Sequence, residues 1–510
     1  GCTALTTVNI SNNSQLTAYG ACAFSETAIS YFYIPKNVTV DGFDGSVLSS
    51  CKRMRDVSIH PENGAFDVLN HTLLSKDGTC LVYYPAGRSG TYSISDTVKI
   101  IGKYAFAGSS VSEFDLNKVD TIEEHAFEST GQLKEILLPD TLTKLGSYAF
   151  ADSRISHVTL AANLESIPSY AFYHTQLESL HIGAKVQSVC KHAFARCLTL
   201  KELTFDDGAE LKSFGLAAFY GCSSLTNFTL PNSVQVIGGQ AFEQCSSISE
   251  LIIPESVNVI DEYAFRYCTG LQKVNISENA MLQKLGEYSF ANCTSLKEVS
   301  LSENITELDA YAFSNCTMLS TLLFPESSKL GTIGAYSFYG DINLKTMQLP
   351  QSVQNIGEFA YAFSGLQRAD ITAHVLNIGN GAFGACESLQ EFAVSEENTA
   401  YSGSGNVLFD KYVQTVYCVA ASARDTYILP ESVQIIAPYA FYYDKLLAGI
   451  VLPEGLQNIE HDAFYSCSGL SKIEIPSSVT NIGRKAFEEC RKMTAVVFAK
   501  NSQLQRLGIY

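Results

Sequence analysis

A phenylalanine, most often in an Ala-Phe or Ser-Phe pair, returns along this 510-residue chain at a nearly constant interval. It stands at Phe24, Phe106, Phe127, Phe150, Phe172, Phe194, Phe219, Phe242, Phe265, Phe290, Phe313, Phe338, Phe363, Phe383, Phe441, Phe464 and Phe487. Leu48, in "GSVLSSC", fills one further slot, which makes 18 anchors, most of them 20 to 25 residues apart. A unit this short cannot bury its own apolar face, so successive units have to stack and cover one another.

A full unit is represented by residues 254–276, "PESVNVIDEYAFRYCTGLQKVNI". Its second half, L-x-x-V-x-I, is the strand pattern of leucine-rich repeats: Val274 and Ile276 alternate as in a half-buried strand, and Leu271 enters the core from the preceding turn. Pro254 stops the strand before it, because it has no N–H to give to a ladder. Ile260, Ala264 and Phe265 lie at i, i+4 and i+5, which fits one or two turns of helix against the sheet. The expected fold is an α/β leucine-rich-repeat solenoid. It is a curved right-handed coil of about 18 repeats with one parallel sheet on the concave face and short helices or turns on the other. Strands about 4.8 Å apart would make an arc roughly 85 to 100 Å long.

Two intervals break the period, Leu48 to Phe106 and Phe383 to Phe441, and both are 58 residues long. Their sequences align: "HPENGAF" (60–66) with "SEENTAY" (395–401), and "LLSKDGTCLVYYP" (73–85) with "LFDKYVQTVYCVA" (408–420). Lys76-Asp77-Gly78 between two apolar runs is a hairpin signal. Residues 60–92 and 395–427 are therefore expected to be hairpin-containing long repeats within a single solenoid spanning 1–510. About 35 extra residues are too few for a core of their own. Both ends, "GCTALTTVNI" and "LQRLGIY", read as partial repeats. The expectation is a segment cut mid-repeat from a longer protein, with any signal and anchor outside it.

"SVQVIGGQAFEQCSSISELIIP" (233–254) and "SSVTNIGRKAFEECRKMTAVVF" (477–498) resemble BspA-like leucine-rich repeats, also called the Treponema pallidum-type class. The hairpin sequence at 73–85 is similar to a unit that accompanies them. The resemblance runs through essentially the whole chain. It implies a cell-surface or secreted protein of bacteria or parasitic protozoa, involved in adhesion to host matrix proteins, other cells or other microbes. It implies no catalytic motif, no cofactor and no fixed ligand-contacting residues.

Fifteen cysteines might suggest disulfides, but eleven of them share one slot. Cys51, Cys197, Cys222, Cys245, Cys268, Cys293, Cys316, Cys386, Cys467 and Cys490 each follow an anchor by three residues, and Cys2 fits the same place. One cysteine per coil points to a buried ladder of small apolar side chains. It does not suit a metal site, since zinc needs four ligands converging on a point. Cys22, Cys80, Cys190 and Cys418 lie off the ladder and are the better candidates for exposed or modified thiols.

The same positional logic disposes of the one Cys-His neighbourhood, Cys190, His192 and Cys197. His192 and His125 share the slot two before the anchor with tyrosines at 104, 148, 170, 263, 288, 311, 336, 361 and 439, which makes them members of a stacked aromatic row. No phosphate-cradling glycine motif occurs between a strand and a helix, so an enzyme is not expected. Of nine sequons, those at Asn292 and Asn315 directly precede ladder cysteines and read as turn asparagines.

With 34 Lys plus Arg against 52 Asp plus Glu, the net charge is −18. That excludes phosphate-led nucleic-acid binding and docking on anionic lipid. No apolar run approaches the roughly 20 residues of a membrane helix, so this segment does not insert directly into a membrane. With the L-x-x-L-x-L positions in the core, one outward strand slot holds Asp56, Glu113, Glu135, Glu202, Glu250, Glu298 and Glu391. These are the candidate partner-binding residues, for a protein ligand such as a host matrix or microbial surface protein. Cross-strand ion pairing that keeps the sheet soluble is the competing reading. A passive stalk, or the non-catalytic targeting region of a larger surface protein, is the functional alternative.

Overall fold

In the computed structural model each repeat is one coil of a parallel β-solenoid, and the chain makes about 21 turns, against the 18 counted from anchors. The structure describes residues 2–420 and 426–509; residues 421–425 of the long repeat expected at 395–427, and residues 1 and 510, lie outside it. Contacts group the chain into two units, 1–248 and 249–510.

The coil of residues 254–276 sits in the second unit. Leu271, Val274 and Ile276 are buried, and Lys273–Ile276 pairs in parallel register with Glu298–Ser300. Four such strands, from Glu250–Ile253 to Thr321–Leu323, form one sheet. Ahead of the turn a second row appears, made of two-residue strands: Val259–Ile260 pairs with Lys284–Leu285, which pairs with Glu307–Leu308. The first unit has the same two rows, with Ser179–Ile182 on Glu202–Phe205 and Ser188–Val189 on Ser213–Phe214. A two-residue strand is too short to show alternation in a sequence, so only the longer row announces itself there.

Between the rows, where Ile260, Ala264 and Phe265 suggested a helix, the chain makes tight turns. Among the described residues the only helical elements are two short 3-10 segments, Val40–Gly42 and Gly45–Leu48. The cause is hydrogen bonding. In the coil at Phe265, the N–H groups of Ala264, Arg266 and Cys268 donate within the turn, to Asp261, Tyr263 and Phe265. Those of Tyr263, Phe265 and Tyr267 donate to Glu287, Ser289 and Ala291 of the next coil. Turning alternate N–H groups outward requires positive φ two residues either side of the anchor, as at Tyr263 (59°) and Tyr267 (61°). An α-helix would consume every N–H internally and leave the next coil none.

The anchors stack as a column of rings. In the first unit, Phe106, Phe127, Phe150, Phe172, Phe194, Phe219 and Phe242 follow one another at centroid separations of 5.0 to 5.3 Å. In the second, Phe338 is followed by Tyr361 at 5.1 Å and then by Phe383 at 5.8 Å. The anchor of that coil is therefore Tyr361, not Phe363. Phe359 takes the outer-row slot assigned to Tyr361, and Phe363 sits half-exposed at the second left-handed position. The tandem "FAYAF" offers two matches, and the hydrogen bond from the Tyr361 N–H to Ala382 fixes which is used.

Each long interval adds a three-stranded antiparallel meander. In the first, Phe66–Leu69, Thr72–Ser75 and Cys80–Tyr83 run in that order, and the last joins the short row by parallel pairing with Ile100–Ile101. Tyr401–Ser404, Val407–Asp410 and Thr415–Val419 repeat this in the second unit, ending on Ile435–Ile436. Each meander is held by one buried asparagine. Asn398 Nδ2 donates to the carbonyls of Thr372 (2.7 Å) and Val375 (2.9 Å), while its Oδ1 accepts from the N–H groups of Ala400 (2.9 Å) and Tyr401 (2.8 Å). Asn63, aligned with it in sequence, makes the equivalent bonds to Pro35, Val38, Ala65 and Phe66.

Two substitutions test this. Tyr361→Ala should lose about 3–5 kcal/mol of stability to urea, as buried aromatic truncations do, and Phe363→Ala less than half of that; equal losses would return the anchor to 363. Asn398→Ala strands two N–H groups and two carbonyls in the interior and should lose about 1–3 kcal/mol or more. Amide exchange would locate that loss in residues 398–419.

Candidate functional site

The outward strand residues are held at a separation of about 4.8 Å from coil to coil, so charges in one slot feel each other strongly. The structure answers by pairing most of them. Glu298 receives Lys273 Nζ at 2.8 Å, and Glu250 stands opposite the same lysine, whose pKa is raised chiefly by the Glu298 bond. Glu391 takes Arg368 Nη1 at 2.8 Å, and Glu113 accepts from Thr91 Oγ1 at 2.9 Å. Asp56 faces His71 Nδ1 at 3.1 Å, and Glu135 faces His157 Nδ1 at 3.9 Å. Glu202 lies beside Ser179. The seven candidates thus do not converge on one pocket. Four occupy the first unit, beside Tyr31, Thr91, His157 and Ser179, and three the second, beside Lys273 and Arg368.

A denser charge constellation lies on the short-strand row of the second unit, where sequence reasoning did not look. A depression of about 800 Å³ is lined there by Asp261, Glu262, Glu287, Glu307 and Asp309, with Lys284 as its one cation. Lys284 Nζ is already committed to Asp309 at 3.1 Å. Gly286 lies in the depression and can carry no side chain, because a Cβ would meet the Asp261 carbonyl carbon at 2.6 Å. Met281 and Val259, exposed at 66% and 39%, supply its apolar surface. Asp261, Glu262, Glu287 and Asp309 occupy the slots three and four before the anchor, in "IDEYAF", "LGEYSF" and "LDAYAF", and Glu307 lies on the short strand itself, a signal visible in the sequence once the short strands are known.

Beside it runs the outer aromatic row. Tyr263, Tyr288, Tyr311 and Tyr336 stack face to face at 5.0, 4.3 and 4.5 Å. Burial raises their phenol pKa values first, and Glu287 adds to the rise at Tyr263, Tyr288 and Tyr311. The Arg266 guanidinium lies over the Tyr263 ring, 4.3 Å from its centroid. The first unit carries the matching row Tyr104, His125, Tyr148, Tyr170 and His192. His192 is a member of this stack with a pKa lowered by burial. Cys190 Sγ faces Ser166 and Cys197 Sγ faces Thr175, so these three residues do not assemble a Cys-His pair.

The BspA type leucine rich repeat region model matches residues 1–67, 88–201, 212–332, 319–406 and 416–509. The chain belongs to the BspA-type leucine-rich-repeat family. A leucine-rich repeat protein from Eubacterium ventriosum is 26% identical over 45% of this chain and 61% of its own, with a TM-score of 0.41. This chain therefore spans less than two thirds of that protein's length. A leucine-rich repeat protein from Bacteroides ovatus is 18% identical, covering 96% of this chain and 87% of the other, with a TM-score of 0.39. A leucine rich cell surface protein from Faecalibacterium prausnitzii is 19% identical over 87% and 98%, with a TM-score of 0.28. No curated protein matches the chain. BspA-type proteins are usually surface-associated, non-catalytic binding scaffolds, and leucine-rich repeats generally mediate protein–protein contacts. Among the described residues no helix is long and apolar enough to cross a membrane, and no group of three or more His, Cys, Asp or Glu is disposed to hold a metal ion.

In this BspA-type solenoid ten of the eleven ladder cysteines, from Cys51 to Cys490, are buried, whereas Cys2, expected in the same column, is exposed. The buried thiols bond to the carbonyl of the preceding coil's anchor, as Cys222 does to Phe194 and Cys245 to Phe219 in the first unit, and Cys293 to Phe265 and Cys316 to Phe290 in the second. Burial pushes the Cys245 thiol far up and that of Cys386 to about 11. Off the ladder, Cys22 is exposed and Cys80 and Cys190 are half-buried. Cys418 is buried, contrary to the expectation of an exposed thiol, because it lies on a meander strand whose inner face meets the core.

Two coils place an aspartate in the cysteine slot. Asp341 is fully buried; its Oδ1 accepts from the Cys316 N–H at 2.8 Å, its Oδ2 has no partner, and burial holds its pKa far above the usual carboxylate range. Asp444 accepts from the N–H groups of Leu446 and Leu447 at 3.1 Å each, yet burial still raises its pKa to about 6. Because that value lies above the ordinary 3.8, the folded state holds the proton more tightly than the unfolded state. The stability this contributes is complete below about pH 4 and is lost as pH rises through about 6. Asp444→Asn keeps the Oδ1 acceptor and removes the charge. It should melt several degrees above the parent at pH 7, with the gap closing by pH 4; a gap independent of pH would contradict the assignment.

Proposed function

We propose that this chain is a non-catalytic, protein-binding scaffold, displayed at a cell surface or secreted, that adheres to host matrix or other cell-surface proteins. The observation that carries this reading is the pair of parallel rows whose outward side chains are fixed by backbone ladders on both sides. Such a surface is formed before any partner arrives, so association loses little conformational entropy. Membership of the BspA-type family supports the same reading.

Within it, Asp56, Glu113, Glu135, Glu202, Glu250, Glu298 and Glu391 contribute the long-range attraction for a basic partner, which acts mainly on the association rate. Their cross-strand pairs are exposed and worth about 0–1 kcal/mol each, so they can be altered without unfolding the coil.

Binding of the chain to a panel of purified extracellular-matrix proteins, followed by surface plasmon resonance, tests the proposal. Saturable binding to at least one is expected. Glu250→Lys, Glu298→Lys and Glu391→Lys together should slow its association about ten-fold at low salt. Absence of saturable binding across the panel would favour a passive spacer, and an unchanged association rate would remove the strand carboxylates from the interface.

A further inference from the structure

Histidine is spread unevenly along the chain: seven of the nine lie in residues 1–248 and two in residues 249–510. The difference shows on the long-strand face. In the second unit permanent cations meet the strand carboxylates, Lys273 at Glu298 and Arg368 at Glu391. In the first unit imidazoles meet them, over the consecutive strands Glu135–Leu137, His157–Thr159, Ser179–Ile182 and Glu202–Phe205. His157 Nδ1 lies 3.9 Å from Glu135 on the preceding strand, and His181 Nε2 lies 2.9 Å from Asp206, just past the following one. A hydroxyl backs each ring: Ser156 Oγ stands 2.9 Å from His157 Nδ1, and Thr204 Oγ1 3.0 Å from His181 Nδ1. A hydroxyl donates to a neutral ring nitrogen and accepts from a protonated one, so each ring keeps this bond in either charge state. The other charged residues on the elements packed against the two rings are Glu178, Glu202 and Asp207, with Lys134, Arg154 and Lys201. These three cations are exposed and form no ion pair among the described residues. Lys185 is committed to Asn163 Oδ1 at 2.6 Å. The His181 bond and the Ala184 N–H hold the Asp206 carboxyl below its ordinary range, so it stays ionised where imidazole titrates.

We propose that these four coils of the first unit form a pH-gated docking face for a basic segment of a partner protein, open at neutral pH and closed in mildly acidic surroundings. This is a regulation of the scaffold proposed above and rests on that reading. Imidazole is mainly uncharged above neutrality, so there Glu135, Glu178, Glu202 and Asp206 present their charge to the partner. Acidification adds a proton to each ring. His157 and His181 then stand as fixed cations against Glu135 and Asp206, and they repel an approaching lysine or arginine. Because the hydroxyls hold the rings in both states, the face changes its charge and not its shape. The second unit's strand face has no such gate, since Lys273 and Arg368 are residue types that keep their proton throughout this range. The whole units differ in the same sense. The first carries 17 Lys plus Arg against 24 Asp plus Glu, an excess of seven that its seven histidines cancel when protonated. The second carries 17 against 28 and has only two histidines.

The probe is a nona-lysine peptide, titrated by calorimetry against the full chain in about 50 mM salt, where surface charges are weakly screened. Lysine keeps its proton throughout, so a change with pH belongs to the chain. Between about pH 7.5 and about pH 5.5 the parent should lose at least about five-fold in affinity. His157→Gln and His181→Gln together should cut that loss to less than about two-fold. His60→Gln and His374→Gln remove two histidines outside these coils and should keep the parent's pH dependence. Glu135→Gln, Glu202→Gln and Asp206→Asn together should weaken binding at about pH 7.5 at least about five-fold and remove most of the pH dependence. Equal pH dependence in the two histidine variants would mean that only net charge is sensed and would overturn the gate. So would a parent that binds alike at both pH values, or a carboxylate variant that binds like the parent. The replaced side chains are exposed or half-exposed, and matching melting temperatures at each pH confirm folding. Failure here leaves matrix binding at neutral pH untouched, so the gate and the scaffold reading fail separately.

Discussion

The hydrogen-bond alternation in the turns governs the rest of the molecule. Three N–H groups per turn close the turn itself, and three reach the neighbouring coil. Half the donors are thereby spent on stacking, which is why a segment with helical spacing does not become a helix. The two left-handed residues that permit it recur in coil after coil, with Gly at 108, 221 and 340 and Asn at 292 and 315 among the occupants of the second position. Tyrosine in the first position is less natural, since a left-handed conformation is unfavourable by about 1–2 kcal/mol for a residue with a Cβ. The ring stacks at 4.3 to 5.0 Å in the second unit offset that strain.

The same geometry dictates the cysteine slot. Three residues past the anchor the chain leaves the turn, and the side chain enters a narrow interior space beside the carbonyl of the previous anchor. That carbonyl needs a donor, and the space admits only a small side chain. Cysteine supplies both a small apolar body and a weak donor. Threonine fills the same slot at Thr130 and Thr175, but its shorter hydroxyl donates to the anchor of its own coil, Phe127 and Phe172. Asp341 and Asp444 occupy the same space as carboxylic acids, and their raised pKa values follow from the lack of room for water around the second oxygen.

The sequence carried those parts of the fold that repeat at a fixed distance from the anchor: the stacking, the long strands, the interior cysteine column and the aromatic outer row. Even the equivalence of Asn63 and Asn398 follows from aligning the two long intervals from their ends. What it did not carry were features below the resolution of a periodic pattern. Two-residue strands have no alternation to detect. Tyr361 yields to Phe363 when an Ala-Phe pair is the template, although the hydrogen-bond ladder makes the opposite choice. Cys418 lies outside the column, and its burial is decided by a meander strand whose orientation depends on the coil that follows. The acidic depression was invisible for the first of these reasons: its residues are ordinary charges in a turn until the short strands place them side by side.

A solenoid has a particular problem with charge, because any side chain in one slot is copied beside itself about 4.8 Å away. Like charges at that distance repel and destabilise the pair. The long-strand face avoids this by interleaving, with Lys273 between Glu250 and Glu298 and Arg368 beside Glu391. On the short-strand face Glu262 and Glu287 are copied without a cation between them, and the lysine in the neighbouring slot is bound to Asp309. Such a cluster opposes folding by a small amount that a bound cation would relieve. The short-strand face therefore carries the denser negative charge of the two, held in place by the same backbone ladder that sets the coil spacing.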